Sequence, residues 1–251
     1  MKKVICFILS LCFLFLMGCE GNDFKIQQET EHFIFFSYDQ DKECLEDIAK
    51  NLEDNYDRIT EDLGYKSTEK IKVHIYPDQD SFHQAIGRPD APDWVVGTAD
   101  QERVIMVSPL NPGSTHNYNG MLKVAIHEFT HVITTRINPS FPNRDPFLTE
   151  GIAMYEARQM DANYATLVDR LVNTDKVPSL EELRFNLYNY NSGYALACTF
   201  VEYMVDTYGR EVIGQIIENP GKTEEILGVS QQELEQGWRE YLSDNYGRKA
   251  K

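Results

Sequence analysis

The sequence predicts an α+β fold in which a mixed β/α N-terminal half feeds a helical C-terminal half. Three observations predict it. β-prone runs rich in Val, Ile and aromatic residues fall before residue 109, apolar residues recur at helical spacing from residue 119 onward, and neither an internal repeat nor a low-complexity tract interrupts the chain. A content of 42% hydrophobic and 12% aromatic residues is enough to bury one domain core.

The first element is not part of that core. Lys2 and Lys3 precede an apolar run over residues 4–17, broken only by Ser10, which is too short for a membrane span and reads as an export signal. Its ending, Leu16-Met17-Gly18-Cys19, resembles the lipobox of bacterial lipoproteins. The resemblance implies cleavage of residues 1–18, diacylglyceryl attachment to Cys19, and a lipid anchor in the bacterial cell membrane outside the cytoplasm. Loss of Lys2 and Lys3 takes the net charge from −16 to −18. That acidity leaves no cationic surface for nucleic acid. Two cysteines would remain in the body besides Cys19: Cys44 and Cys198, each on a helix-like segment, read as small buried hydrophobes with a disulfide as the alternative.

Residues 19–30 are polar and aperiodic and read as the lipidated cysteine plus a tether. A first lobe is expected over residues 31–118. It holds an aromatic strand at 32–38, an amphipathic helix at 41–63 carrying Leu45, Ile48, Leu52, Tyr56 and Ile59, and a strand at 70–76 alternating Ile71, Val73 and Ile75. A short helix at 81–86 follows, then a hairpin of residues 94–98 and 103–108. A helical lobe over residues 119–245 contains helices at 121–137, 145–160, 191–208, 210–218 and 231–241, and the whole of 31–245 forms one catalytic domain.

The chemistry concentrates in His127-Glu128-Phe129-Thr130-His131. Four residues of helix bring His127 and His131 onto one face, where both reach one metal ion. Leu122, Ile126, Phe129 and Ile133 anchor that helix. Glu128 lies about 100° around the helix from His127, off the metal but within reach of a water bound to it, the position of a general base. A catalytic zinc site needs a third protein ligand and an open fourth position. Glu150 is the candidate, on a helix started by Asp145 as cap and Pro146 in its first turn, with Gly151 allowing the two helices to approach closely.

The His127-Glu128-x-x-His131 pair, the eighteen intervening residues, and Glu150-Gly151 in Phe147-Leu148-Thr149-Glu150-Gly151-Ile152-Ala153 together resemble the gluzincin zinc metallopeptidases, which include thermolysin and the zinc aminopeptidases. The resemblance implies one catalytic Zn²⁺ ion, a sheet lobe over the active-site helix, a helical lobe beneath it, and a peptide or protein substrate. It also implies a tyrosine that stabilises the oxyanion, for which Tyr194 is the first choice and Tyr190 the second, and an edge strand that pairs with substrate, assigned to residues 103–108. Metzincins are excluded, since Thr134 and Ile137 stand where that group has Gly and His. Deformylases are disfavoured because neither Cys19 nor Cys44 has the surroundings of their cysteine ligand. The Gly-x-Met-Glu-Asn motif of the aminopeptidases is absent, so exopeptidase activity has no support. His32, His74, His83 and His116 show no partner pattern and read as surface or sheet residues. A zinc-stabilised, non-catalytic binding lipoprotein is the competing expectation, against which the intact Glu128 counts. Oligomeric state has no signature here.

Overall fold

A computed structural model describes residues 23–66 and 69–247, so the signal segment and Cys19 lie outside the described residues. Its architecture is α+β. The N-terminal half supplies β1 (Lys25–Glu29), β2 (Phe33–Ser37), α1 (Lys42–Asp62), β3 (Ile71–Tyr76), α2 (Gln79–Ala85), β4 (Gly97–Ala99) and β5 (Arg103–Val107). The remainder is helical: α3 (Tyr118–Ile137), α4 (Phe141–Arg144), α5 (Pro146–Glu156), α6 (Ala162–Asn173), α7 (Leu180–Asn186), α8 (Gly193–Tyr208), α9 (Glu211–Glu218), α10 (Thr223–Leu227) and α11 (Gln231–Asn245).

The strands form one sheet in the order β1-β2-β3-β5-β4, parallel at the centre and antiparallel at both edges. Both parallel crossovers step in the same direction across the sheet, and the right-handed rule therefore puts α1 and α2 on one face. Alternation decides what that face carries. Phe33, Phe35, Ile71, Val73, Ile75, Val104 and Met106 point inward and are buried. They pack with the apolar stripe of α1 and with Phe129 of α3, where the Phe33 and Phe129 rings meet edge to face at 5.3 Å. Each such fully buried side chain contributes about 1.5–3 kcal/mol relative to exposure.

Two expectations need correction. The polar stretch 19–30 is not a tether throughout, because residues 25–29 are the edge strand β1. A register shift between Ile26 and Gln28 breaks its alternation, and its side chains are largely exposed, so it lacks the pattern of a half-buried strand. The strand at 103–107 is not an edge. It lies between β3 and β4, and the free edge on that side belongs to β4. Cys44 and Cys198 are both buried and unbridged.

The two halves are fastened by charge as well as by packing. Arg58 on α1 bonds the carboxylate of Glu156 at the end of α5, and its second terminal nitrogen donates to the Glu156 carbonyl at 2.7 Å. Glu156 is 3% exposed, and this burial, opposed by Arg58, raises its pKa to about 7. Its folded value exceeds the unfolded one, so the group's contribution to stability is present at low pH and is lost as pH rises through about 7. Arg58→Ala leaves that buried carboxylate without its counter-charge and is expected to cost about 3–5 kcal/mol at pH 8. The loss should shrink at pH 5, where Glu156 is neutral in the folded state. Denaturant unfolding at the two pH values measures it; an equal loss at both would show that packing, not charge, is what Arg58 supplies.

Candidate metal centre

α3 starts three residues ahead of the point its apolar periodicity suggests, because the Asn117 side chain caps it, accepting from the Gly120 N–H at 2.9 Å. It then runs between the sheet, α1 and α5 with most of its circumference buried. His127 and His131 face the gap between the sheet and the helical half, and Glu128, one residue around the helix, is 7% exposed. α5 starts as expected, with Asp145 accepting from the Leu148 N–H at 3.0 Å and Pro146 in its first turn. Gly151 serves a different approach from the one expected. A Cβ there would stand 2.5 Å from the carbonyl oxygen of Ala197, so the glycine lets α5 lie against α8, not α3.

These two helices bring the three predicted ligands together. His127 Nε2 and His131 Nε2 lie 3.0 Å apart, and Glu150 Oε2 lies 3.2 Å from the first and 3.5 Å from the second. Donors on a tetrahedral zinc with bonds of about 2.0–2.2 Å stand about 3.3–3.6 Å from one another. The triangle therefore has close to the right edges, and it is the one such group of three among the described residues.

A further contact orients it. His127 Nδ1 lies 2.8 Å from Gln159 Oε1, and since that oxygen only accepts, Nδ1 carries the proton and Nε2 keeps its lone pair for a metal. Gln159 reaches back because the chain turns sharply after α5, with Arg158 at φ 50 and Lys123 Nζ donating to the Arg158 carbonyl at 2.8 Å. The electrostatics match a cation site. Burial opposes charge on both His127 and Glu150, yet Glu150 and Glu128 raise the His127 pKa, while His131 and His127 lower that of Glu150. Burial raises the Glu128 pKa, opposed by the neighbouring His131 and His127.

The site opens into a cleft of about 1120 Å³ bounded by β4 and Trp94 on one side, α3 and α5 on another, and Tyr188, Tyr190 and Tyr194 across from them. Tyr194 and Tyr190 both border it. The tyrosine that touches the triad, however, is Tyr188, whose hydroxyl donates to Glu150 Oε1 at 3.4 Å. Its ring and that of Tyr194 lie 6.1 Å apart. Burial and the Glu150 charge raise both phenols, Tyr188 to about 12, so both stay protonated and remain donors. Of the other histidines, His32 bonds Glu53 at 2.6 Å, His83 bonds the Val95 carbonyl at 2.8 Å, His74 lies on the sheet's outer face, and His116 borders the cleft beside Thr115. Sequence reasoning missed Gln159 and Tyr188. Neither sits in a periodic element, and the only available signal is nearness in chain to Glu150 and Tyr190.

β4 crosses directly above Glu128. A Cβ on Gly97 would stand 2.7 Å from Glu128 Oε1 and 2.8 Å from Val124 Cγ1. Gly97→Ala is expected to force both the Glu128 side chain and the packed Val124 to shift, lowering the melting temperature by about 2–12 °C and kcat by about 10- to 100-fold. Steady-state kinetics beside a thermal melt tests this, and an unchanged kcat would refute it.

Two histidines and a glutamate converging beside a second, buried carboxylate form the kind of constellation that metal-dependent hydrolases use. The Peptidase MA superfamily model matches residues 52–244, and the chain belongs to that superfamily. No curated protein matches the chain.

Proposed function

We propose that the protein is a gluzincin-type zinc endopeptidase, held outside the cytoplasm by a lipid on Cys19. The observation that carries the reading is the triangle of His127 Nε2, His131 Nε2 and Glu150 Oε2, with sides of 3.0–3.5 Å, next to the buried Glu128. His127, His131 and Glu150 would hold the ion. When bound, zinc supplies Lewis acidity, polarising a carbonyl and acidifying water. Glu128 takes a proton from the attacking water and delivers it to the leaving amine; burial, which raises its pKa, strengthens it as the base in the first half of that exchange. The free edge of β4 lines a substrate strand along the cleft by main-chain hydrogen bonds, the role first assigned to residues 103–108. Tyr188 or Tyr194, each keeping its proton, donates to the developing oxyanion. No covalent intermediate is needed.

The test couples metal analysis of residues 20–251 to cleavage of a broad peptide library with and without chelator. One zinc per chain and chelator-sensitive internal cleavage are expected. Absence of zinc, or a zinc-loaded protein that cleaves nothing, would overturn the reading.

A further inference from the structure

The sheet has a second face. Ile26, Phe36, His74 and Ile105 form one row across it, and Ile34, Lys72 and Arg103 the next. Phe24 lies over this surface, with its ring 5.1 Å from Tyr76, 5.3 Å from Tyr38 and from His74, and 6.2 Å from Phe36. These rings are only partly buried, and Ile26 beside them is 57% exposed. An aromatic and aliphatic surface of this kind on an otherwise strongly acidic body calls for a covering.

The length of chain between the anchor and this face identifies it. Phe24 is only five residues beyond Cys19, and five steps of fully extended chain reach at most about 18 Å. A tether running to residue 30 would have let the domain float at about twice that distance. Because β1 takes residues 25–29 into the sheet, a lipid on Cys19 sets the bilayer surface within reach of Phe24 and the rings under it. The cations around the face are already paired: Lys25 and Lys42 with Asp39, Lys70 with Glu29, Lys72 with Glu102, and Arg103 with Asp100. Attraction to acidic headgroups therefore contributes little. Tyrosine and phenylalanine suit the interfacial level of a bilayer, and beside a diacylglyceryl anchor that already holds the chain at the membrane they supply a second contact that fixes its orientation.

We infer that the outer sheet face around Phe24, Phe36, Tyr38 and Tyr76 rests on the lipid bilayer, so that the protein is docked rather than merely leashed. This rests on the lipid-anchor reading of Cys19. Docking in this pose puts the sheet between the bilayer and the cleft, with the substrate-side edge β4 four strand spacings, about 19 Å, from the anchored edge β1.

The experiment uses the full chain, processed in cells and reconstituted into phosphatidylethanolamine–phosphatidylglycerol vesicles that carry a headgroup nitroxide quencher. Cys44 and Cys198 are buried, so a single exposed cysteine takes a fluorophore selectively. Label on Ile26→Cys is expected to be quenched at least about twofold more than label on Gln236→Cys in the helical half, and the contrast should survive high salt. Adding Phe36→Ser and Tyr76→Ser should cut the quenching at Ile26→Cys by at least about twofold while the protein stays with the vesicles, because the leash alone brings that label near the bilayer without holding it there; undiminished quenching would overturn docking. Equal quenching at both labels, with the diacylglyceryl mass present on Cys19, would overturn docking and leave the anchor standing. A contrast lost in salt would overturn the aromatic basis of the contact. Absence of that mass would overturn the anchor reading and this inference with it.

Discussion

Glu128→Gln is expected to retain one zinc per chain and to lower kcat for peptide cleavage by about 10²–10⁴-fold, with KM nearly unchanged. The substitution is nearly isosteric and removes only the ability to take and return a proton. Glu128 is buried against β4, and Val124 and Gly97 pack around its position, so glutamine fills the same space without a cavity. It ligates nothing in the triad, which consists of His127, His131 and Glu150, so metal content should not respond. Removing a buried carboxylate also relieves a desolvation cost, and the variant should melt no lower than the parent. Metal analysis, a thermal melt and single-turnover cleavage form the measurement. Retained kcat would exclude Glu128 as the base, and lost zinc would mean that it holds the ion.

The parts of this site legible in the sequence are those whose spacing is dictated by a single helix. His127 and His131 are four apart, and Glu128 follows the first, so their relation follows once α3 is recognised. Glu150 became legible through helix-start chemistry, since Asp145 and Pro146 mark the beginning of α5. Strand order was not legible. β5 has the stronger β pattern and β4 is only three residues long, yet it is β4 that forms the edge above Glu128. β1 was hidden for a related reason: an exposed, bulged edge strand buries too little on either face to impose alternation. Gln159 and Tyr188 depend on a left-handed turn at Arg158 and on a 3₁₀ turn at residues 187–189, neither of which carries a hydrophobic period. α6 and α7 went unassigned although their signals are present: Tyr164, Leu167, Val168, Leu171 and Val172 recur at helical spacing after the Asp161 cap, and Ser179 with Glu182 forms a capping box. α6 has Val168 as its only buried residue, and α7 has Leu180 and Leu183.

Removal of the metal is the second large effect expected, and it should be seen in stability as well as in activity. Two imidazole nitrogens 3.0 Å apart, each facing a carboxylate oxygen at 3.2–3.5 Å, form a polar cluster inside a packed interface of α3 and α5. With a cation present, all three lone pairs have a common partner. Without one, a proton must be shared among them, and the two ring nitrogens cannot both be satisfied as acceptors. An ion at 1,000 times its dissociation constant stabilises the folded state by about 4 kcal/mol. In a chain of this size that corresponds to about 8–16 °C in melting temperature. Chelation should therefore lower the melting temperature by that order and abolish cleavage, both restored by added zinc. His131→Ala leaves His127 oriented by Gln159 but takes one of three donors away, so it should melt like the chelated parent and gain little from zinc. A parent whose melting temperature is indifferent to chelator, or a His131→Ala protein that zinc stabilises as strongly as the parent, would show that the triangle is not where the ion is held.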